Sequence, residues 1–236
     1  MQGSESSGKT TLAQHACNGL RSDEDALWIS MGTGIPTRAV NASLATPRTA
    51  EEAFVLMIEA LEIGASLVVL DSAGGLIRYE ELIDPEYVPD PHREFKFELS
   101  QVRAACKRTN GLVMFLSRPR VNSPGLRGTG ISEKAHQKVH LKVIELRQSG
   151  RRRVTTPGGA DFWIDPGTGI DWTEDLARSA FEMDMASREG SWWYFKNTGD
   201  KFFGIESAKE FLRTNPLKAR ELEEATRLEA QERFNW

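Results

Sequence analysis

The sequence predicts an α/β fold in which a mostly parallel, twisted β-sheet is flanked by helices and followed by a small α+β domain. Three observations support this prediction. A glycine-rich loop near the start leads directly into a helical segment, and several short apolar runs end in polar residues, as strands buried on both faces of a parallel sheet do. Beyond residue 170 a helical segment, an aromatic hairpin and two more helical segments follow one another. We therefore predict a core domain at 1–170 and a small C-terminal domain at 171–236.

The first element is the glycine-rich loop at residues 3–10, which matches the pattern G-x-x-x-x-G-K-[ST] in full. Glycines in this pattern let successive backbone N–H groups point at phosphate oxygens, while the lysine reaches the terminal phosphates and the hydroxyl holds a magnesium ion. We expect Lys9 and Thr10 to play these parts, assisted by the positive N-terminal end of a helix at 11–20. A buried strand usually leads into such a loop. Because only two residues precede the loop here, we expect that strand to be missing.

The rest of the core alternates between strands and helices. Apolar runs predict strands at 26–30, 66–71, 111–116 and 138–146, and apolar residues at helical spacing predict helices at 49–63 and 98–109. Thr49, followed by two glutamates, is expected to cap the first of these two helices. The stretches at 31–47 and 121–130 contain glycine and proline, and the polar stretch at 78–97 is interrupted by three prolines. All three are predicted as loops, with at most a brief helix around 37–44.

Asp71 ends the most apolar of the predicted strands. The carboxyl ends of strands are where parallel sheets bind ligands, so this carboxylate is predicted as the second acid of a nucleotide site, holding magnesium together with Thr10. The predicted nucleotide-binding residues are therefore Gly3, Ser4, Glu5, Ser6, Ser7, Gly8, Lys9, Thr10, Thr11 and Asp71.

The C-terminal domain has a different pattern of predicted elements. Its pattern predicts an amphipathic helix at 173–188, a β-hairpin formed by 191–195 and 201–203, and two closing helices at 205–215 and 217–234.

Charge is distributed unevenly along the chain. The net charge is −4, but residues 107–153 contain twelve Lys or Arg against two Glu, so this segment carries +10 and the remainder −14. A polyanion is therefore expected to meet the middle of the chain. The two cysteines imply no disulfide framework, and no apolar run approaches the roughly 18 residues of a membrane span. We expect a cytoplasmic protein without membrane contact.

Several strings of residues, in the same order along the chain, resemble bacterial RecA, the ATP-dependent DNA strand-exchange protein. The strings lie in the phosphate loop at 3–11, in Val-Val-Leu-Asp-Ser at 68–72, in Thr-Asn-Gly-Leu-Val-Met-Phe-Leu at 109–116, and in the tail at 190–196 and 211–216. This resemblance implies a RecA-like nucleoside-triphosphatase core with a C-terminal domain, ATP and Mg²⁺ as cofactors, and single-stranded DNA as partner in recombination and repair. It also implies assembly into a homo-oligomer or filament.

The resemblance assigns further residues. In the family two loops bind DNA, at positions corresponding to 80–97 and 118–137. The second loop and the residue after it supply the predicted DNA-binding residues Arg118, Arg120, Arg127, Lys134 and Lys138, which suit sequence-independent contact with phosphates. Lys9 and Arg118 are the predicted catalytic residues, Arg118 standing near the family's phosphate-sensing glutamine. Arg151 and Arg153 lie where RecA places lysines that contact the ATP of a neighbouring subunit.

The sequence departs from the family pattern in ways that affect hydrolysis. The glutamate that activates water in the family corresponds to a position near Gly32, and no carboxylate lies between Asp25 and Glu51. Loss of such a group commonly costs on the order of 10² to 10⁴ in rate. The tyrosine that stacks on adenine in the family is also not evident, and Arg38 is the nearest residue with a flat face.

Two main hypotheses follow for the function. The first is a RecA-like ATP-binding protein that binds single-stranded DNA. The second is a relative that binds nucleotide without hydrolysing it and serves as a structural, capping or regulatory subunit. A small-molecule kinase is a weak third hypothesis, because no segment resembles a lid over a substrate pocket and the C-terminal resemblance would be unexplained.

Overall fold

The computed structural model describes residues 1–3, 7–32, 40–84, 86–87, 95–117, 140–156, 161–165 and 168–234. The chain divides into two compact units: the core unit, residues 1–146 and 154–161, and the C-terminal unit, residues 147–153 and 162–236. We predicted a boundary after residue 170, whereas the compact C-terminal unit also takes in 162–170 and the turn at 147–153. Within the described ranges, no helix combines the length and the apolar character needed to cross a membrane.

Four parallel strands form the centre of the core unit, in the order β3–β2–β4–β5. They are β2 (Asp25–Ser30), β3 (Ser43–Ala45), β4 (Ala65–Asp71) and β5 (Leu112–Leu116). Ser30 pairs with Asp71, and Asp71 pairs with Leu116, so three strands end at the same edge of the sheet. The α/β class with a parallel sheet, predicted from the apolar runs, is confirmed.

Helices cover both faces of this sheet, because alternate residues of a strand point to opposite sides. Val68 and Leu70 of β4 belong to a core with α2 (Ala50–Glu62) and α4 (Lys96–Thr109). Their neighbours Leu67 and Val69 belong to a second core with Trp28 and α1 (Lys9–Asn18). Thr49 accepts a hydrogen bond from the backbone N–H of Glu52, at 3.2 Å, and so caps α2 as predicted.

A two-residue strand, β1 (Gln2–Gly3), leads into the phosphate loop. It pairs in parallel with β6 (His140–Leu146), and Gln2 also forms a bridge with Ser117 at the end of β5. The expectation that this strand is missing was wrong. Two residues form it because β6 pairs with them on one side and the end of β5 contacts them on the other.

Three short elements differ from the predicted loops. The segment Ser43–Ala45 forms β3 and not part of a brief helix, because it pairs in parallel with β2. The segment Tyr79–Ile83 is a helix, α3, within the predicted loop at 78–97. The helix α4 begins at Lys96, two residues before its predicted start.

Both cysteines lie in the core unit, in keeping with their apolar surroundings. Cys17 is fully buried in α1, and burial raises the pKa of its thiol to about 11. Burial also raises the pKa of the half-buried Cys106. Thiols with raised pKa values are poor nucleophiles at neutral pH, so these cysteines are packing residues.

The C-terminal unit combines helices with a three-stranded antiparallel sheet. Three short strands come first along the chain: β7 (Arg152–Thr155), β8 (Asp161–Asp165) and β9 (Gly169–Ile170). The elements that follow are α5 (Trp172–Glu182), β10 (Ala186–Glu189), β11 (Trp192–Phe195), β12 (Lys201–Phe203), α6 (Gly204–Thr214) and α7 (Pro216–Phe234). The predicted hairpin is confirmed, because β11 and β12 pair in antiparallel register. Leu176, Phe195, Leu212 and Leu222 are buried between these elements.

The helix predicted at 173–188 is too long. It ends at Glu182, and Asp184 adopts a left-handed backbone with φ 60°. The backbone N–H of Met185 then donates to the carbonyl of Ala180, at 2.7 Å. The residues that follow form β10, which pairs with β11 and thereby replaces further helical hydrogen bonds with cross-strand ones.

A buried charge cluster, formed by Arg151, Asp171, Glu174 and Lys209, lies within the C-terminal unit. Lys209 Nζ is 2.7 Å from Asp171 Oδ2 and 3.2 Å from Glu174 Oε2, and Arg151 Nη2 is 2.6 Å from Glu174 Oε2. Burial alone would raise the pKa of Asp171 and Glu174, but hydrogen bonds from these cations and from Thr173 and Arg178 outweigh it and lower both pKa values. The carboxylates are therefore ionised at neutral pH.

Replacing Lys209 with methionine is expected to destabilise the C-terminal unit by about 3–5 kcal/mol, because two buried carboxylates lose the most deeply buried of their cations. Chemical unfolding followed by tryptophan fluorescence measures the loss. The control is Lys218→Met, which removes an exposed lysine paired with Glu221 at 3.5 Å and should cost at most about 1 kcal/mol. Equal effects of the two substitutions would contradict the prediction.

Asp175 is expected to make the unit less stable as the pH rises. Burial, together with the charges of Glu182, Asp171 and Glu174, raises its pKa to about 6. The folded protein therefore holds this proton more tightly than the unfolded chain, and stability falls between about pH 4 and 6. Asp175→Asn should raise the free energy of unfolding by about 1–2 kcal/mol at pH 8 and by much less at pH 4.5. The control is the exposed Glu224→Gln, for which any change in the free energy of unfolding should not depend on pH. A pH-independent gain in Asp175→Asn would contradict the prediction.

Candidate nucleotide-binding site

The phosphate loop ends in a glycine that starts α1. Gly8 has φ 89° and ψ 10°, a left-handed conformation that only glycine adopts without strain, and its carbonyl accepts the helical hydrogen bond from Leu12 at 2.8 Å. The first turn of α1 itself contains no acidic residue. The preceding residues Ser4, Glu5 and Ser6 lie outside the described part of the chain.

Lys9 is the first residue of α1 and is buried. Its ammonium group donates a hydrogen bond to the hydroxyl of Ser7, at 3.3 Å, and Ser7 is itself fully buried. The ammonium therefore lies against the loop that it follows and not in solvent. A buried cation beside backbone N–H groups suits a polyanionic phosphate chain.

Thr10 and Asp71 meet at the edge where the strands end. Thr10 Oγ1 donates to Asp71 Oδ2 at 3.0 Å, although the two residues are 61 positions apart. The backbone holds Asp71 from the other side, since its carbonyl accepts from the N–H of Met31 at 2.8 Å. Hydroxyl and carboxylate oxygens are the ligands that Mg²⁺ prefers, so Thr10 and Asp71 fit the predicted ion.

Gly32 follows the end of β2, two residues after Ser30, which pairs with Asp71. It is exposed, its φ is 71°, and a Cβ placed on it would meet no heavy atom within 4 Å. The position expected for the water-activating carboxylate thus supplies no side chain. Space would admit one, but the left-handed backbone disfavours any residue except glycine.

Gly75 is a positioning residue that the sequence analysis missed. It ends a short 3₁₀ turn, Ala73–Gly75, just after Asp71. A Cβ at Gly75 would overlap the carbonyl oxygen of Met31, so glycine allows the turn to pack against the end of β2. The glycine pair three residues after the predicted strand was the available signal.

Many predicted site residues lie outside the described residues. They are Arg38, Arg118, Arg120, Arg127, Lys134 and Lys138, together with Ser4, Glu5 and Ser6 of the loop. The structure does place Ser117, the residue before Arg118, in a bridge with Gln2 beside the loop. The roles assigned to the five basic residues stay predictions.

Arg151 has partners within its own unit. Its guanidinium forms ion pairs with Glu174 at 2.6 Å and Asp165 at 3.3 Å, and it lies 4.7 Å from the ring centroid of Trp163. Arg153 is half-buried. Contact of these two arginines with a neighbouring subunit's ATP stays a prediction, and for Arg151 it would require some of these ion pairs to break.

Comparison with known proteins points to one family. No family model matches the chain. The plasmid RecA protein of Lactococcus lactis is 25% identical over 260 residues, which cover 95% of this chain and 75% of that protein. RecA of Chelativorans sp. is 27% identical over 264 residues, covering 97% and 73%, and RecA of Heliobacterium modesticaldum is 28% identical over 263 residues, covering 95% and 75%.

A solved structure agrees with the fold. The crystal structure of the RadB recombinase matches with a TM-score of 0.50 at 20% identity, covering 72% of this chain and 88% of that one. The three sequence relatives are RecA proteins, and each match covers at least 95% of this chain. These similarities relate the chain to RecA proteins over nearly its whole length.

Proposed function

We propose that this protein binds Mg-ATP and acts on single-stranded DNA in homologous recombination and DNA repair. One observation carries the nucleotide part: Lys9, Thr10 and Asp71 converge beside the start of α1, with a 3.0 Å hydrogen bond joining the last two. The relatives named RecA support the DNA part. Cytoplasmic location and assembly of several copies belong to the same proposal.

Different residues around the phosphate loop would bind the phosphates and the Mg²⁺ ion. Backbone N–H groups at the start of α1 and the Lys9 ammonium would hold the phosphates, and Thr10 and Asp71 would hold Mg²⁺. When bound, the ion neutralises charge on the phosphate oxygens. Arg118, which follows the end of β5 by two residues, would stabilise negative charge on the terminal phosphate.

DNA would be bound by the basic segment after β5. Its predicted contacts, Arg118, Arg120, Arg127, Lys134 and Lys138, contain no aromatic residue and would pair with phosphates irrespective of base sequence. This arrangement keeps the DNA contact close in sequence to the residue expected to sense the nucleotide. ATP and DNA binding are accordingly expected to influence each other.

A second candidate function, nucleotide binding without turnover, is favoured by Gly32. The glycine offers no group to orient an attacking water, so hydrolysis would be slow even where ATP binds well. Such a protein would serve as a structural, capping or regulatory subunit. The named relatives support the first function and not this one.

Turnover of Mg-ATP, measured with and without single-stranded DNA, separates the two functions. For the first we expect hydrolysis that DNA stimulates and that Lys9→Ala removes, with ATP affinity lowered at least tenfold because the phosphate charge loses its buried cation. Lys218→Ala, an exposed lysine on α7, serves as the control. Tight ATP binding with no turnover would select the second function, and unaltered ATP affinity in Lys9→Ala would contradict both.

Replacement of Arg118, Arg120 and Arg127 by alanine is expected to weaken DNA binding and to flatten its salt dependence. On single strands each lost phosphate contact lowers the slope of log K against log salt by about 0.7, or about 2 for all three. Fluorescence anisotropy with labelled oligo(dT) at several salt concentrations measures the slope. The matched control replaces the exposed Arg103, Arg108 and Arg227, and a similar slope change in that variant would exclude the basic segment as the DNA site.

A further inference from the structure

One face of the antiparallel sheet in the C-terminal unit collects aromatic side chains. Trp192 is paired with Phe203, and Tyr194 is paired with Lys201, so these four side chains lie on the same face. We call them the aromatic face. The intervening residues of β11 point the other way and are buried in the core of the unit. The aromatic face contains none of the residues assigned to nucleotide or DNA binding above.

Two neighbouring rings of this face are exposed. Trp192 is 40% exposed and Phe203 is 62% exposed, and their ring centroids are 5.2 Å apart in an edge-to-face arrangement. Large aromatic side chains contribute more to stability when they are buried. Neighbouring exposed rings therefore indicate a surface that binds a partner.

The face also carries an exposed cation above its rings. Lys201 Nζ lies 4.5 Å from the ring centroid of Trp192 and 4.9 Å from that of Tyr194. Glu189 pairs with Trp192 across β10 and β11, so its carboxylate lies on the same face, where it accepts a hydrogen bond from the Tyr194 hydroxyl at 3.3 Å. The face thus carries one carboxylate, bonded to Tyr194, and one cation, which lies over the rings.

We propose that the aromatic face binds single-stranded nucleic acid by stacking bases on Trp192 and Phe203, with Lys201 on the phosphate backbone. Ring faces match unpaired bases, and an ammonium group matches phosphate, whereas a duplex hides its base faces.

Displacing Lys201 from the rings is easy in this arrangement. Cation–π contacts at exposed sites are weak, whereas stacking of a base on an aromatic side chain contributes more to binding. A base that takes the place of the ammonium frees it to meet a phosphate of the same strand. The surface thus exchanges a weak internal contact for two contacts with the ligand.

The test uses the full chain without nucleotide and labelled oligo(dT), with a duplex of equal length for comparison. Trp192→Ala and Phe203→Ala should each lower single-strand affinity about tenfold with the salt slope unchanged, and Lys201→Gln should lower the slope by about 0.7. Trp192→Phe keeps a ring and should retain most of the affinity. The control is Trp172→Ala, which removes a tryptophan of similar exposure, 43%, from the start of α5.

The outcomes distinguish this surface from the basic segment. Single-strand binding that Trp192→Ala and Phe203→Ala leave unchanged overturns the proposal, while leaving DNA binding by the basic segment intact. An equal loss of single-strand affinity in Trp172→Ala also overturns it, because the effect would then not be specific to the aromatic face. An equal loss of duplex affinity overturns it as well, because a duplex hides its base faces. A tenfold loss that persists when Arg118, Arg120 and Arg127 are alanine supports it. Thermal melting checks that each variant folds. If the alanine variants do not fold, the conservative variants Trp192→Phe and Lys201→Gln still test the proposal.

Discussion

The hydrogen bond between Thr10 and Asp71 depends on the parallel register of the central sheet. Asp71 ends β4, and its carbonyl is held by the N–H of Met31, so the carboxylate can reach Thr10 only while β2 and β4 stay aligned. The register in turn depends on the alternating burial of β4, since a slip of one residue would turn its apolar side chains to the wrong face. The geometry of the candidate nucleotide site thus depends on how the core is packed.

The same edge of the sheet explains the importance of small residues near the site. Gly8 provides the left-handed turn into α1, and Gly75 lets the turn after β4 approach Met31. Gly32 is different, because no heavy atom of the described residues lies within 4 Å of the position of a Cβ built on it. It supplies no side chain at the position where a water-activating carboxylate was expected.

The C-terminal unit is organised by charge as well as by apolar packing. Asp171 and Glu174 lie at the start of α5, and Lys209 of α6 forms ion pairs with both, so buried ion pairs join the two helices. Arg151 attaches the turn at 147–153 to the same carboxylates. A buried pair of this kind specifies one arrangement of the helices, because any other leaves a charge without a partner. With one side of its sheet packed on this framework, the unit can present aromatic rings on the other.

The sequence by itself determined the parallel α/β class, the phosphate loop, Asp71 as its acid partner and the antiparallel hairpin, because each rests on a local pattern of residue types. Only the tertiary structure decided features that depend on pairing between distant segments. Gln2–Gly3 and Ser43–Ala45 become strands because neighbouring strands pair with them, and 186–189 leaves a helical pattern for the same reason. Likewise the buried Lys209 and the half-buried Arg151 find their carboxylate partners on other elements, which no local pattern records.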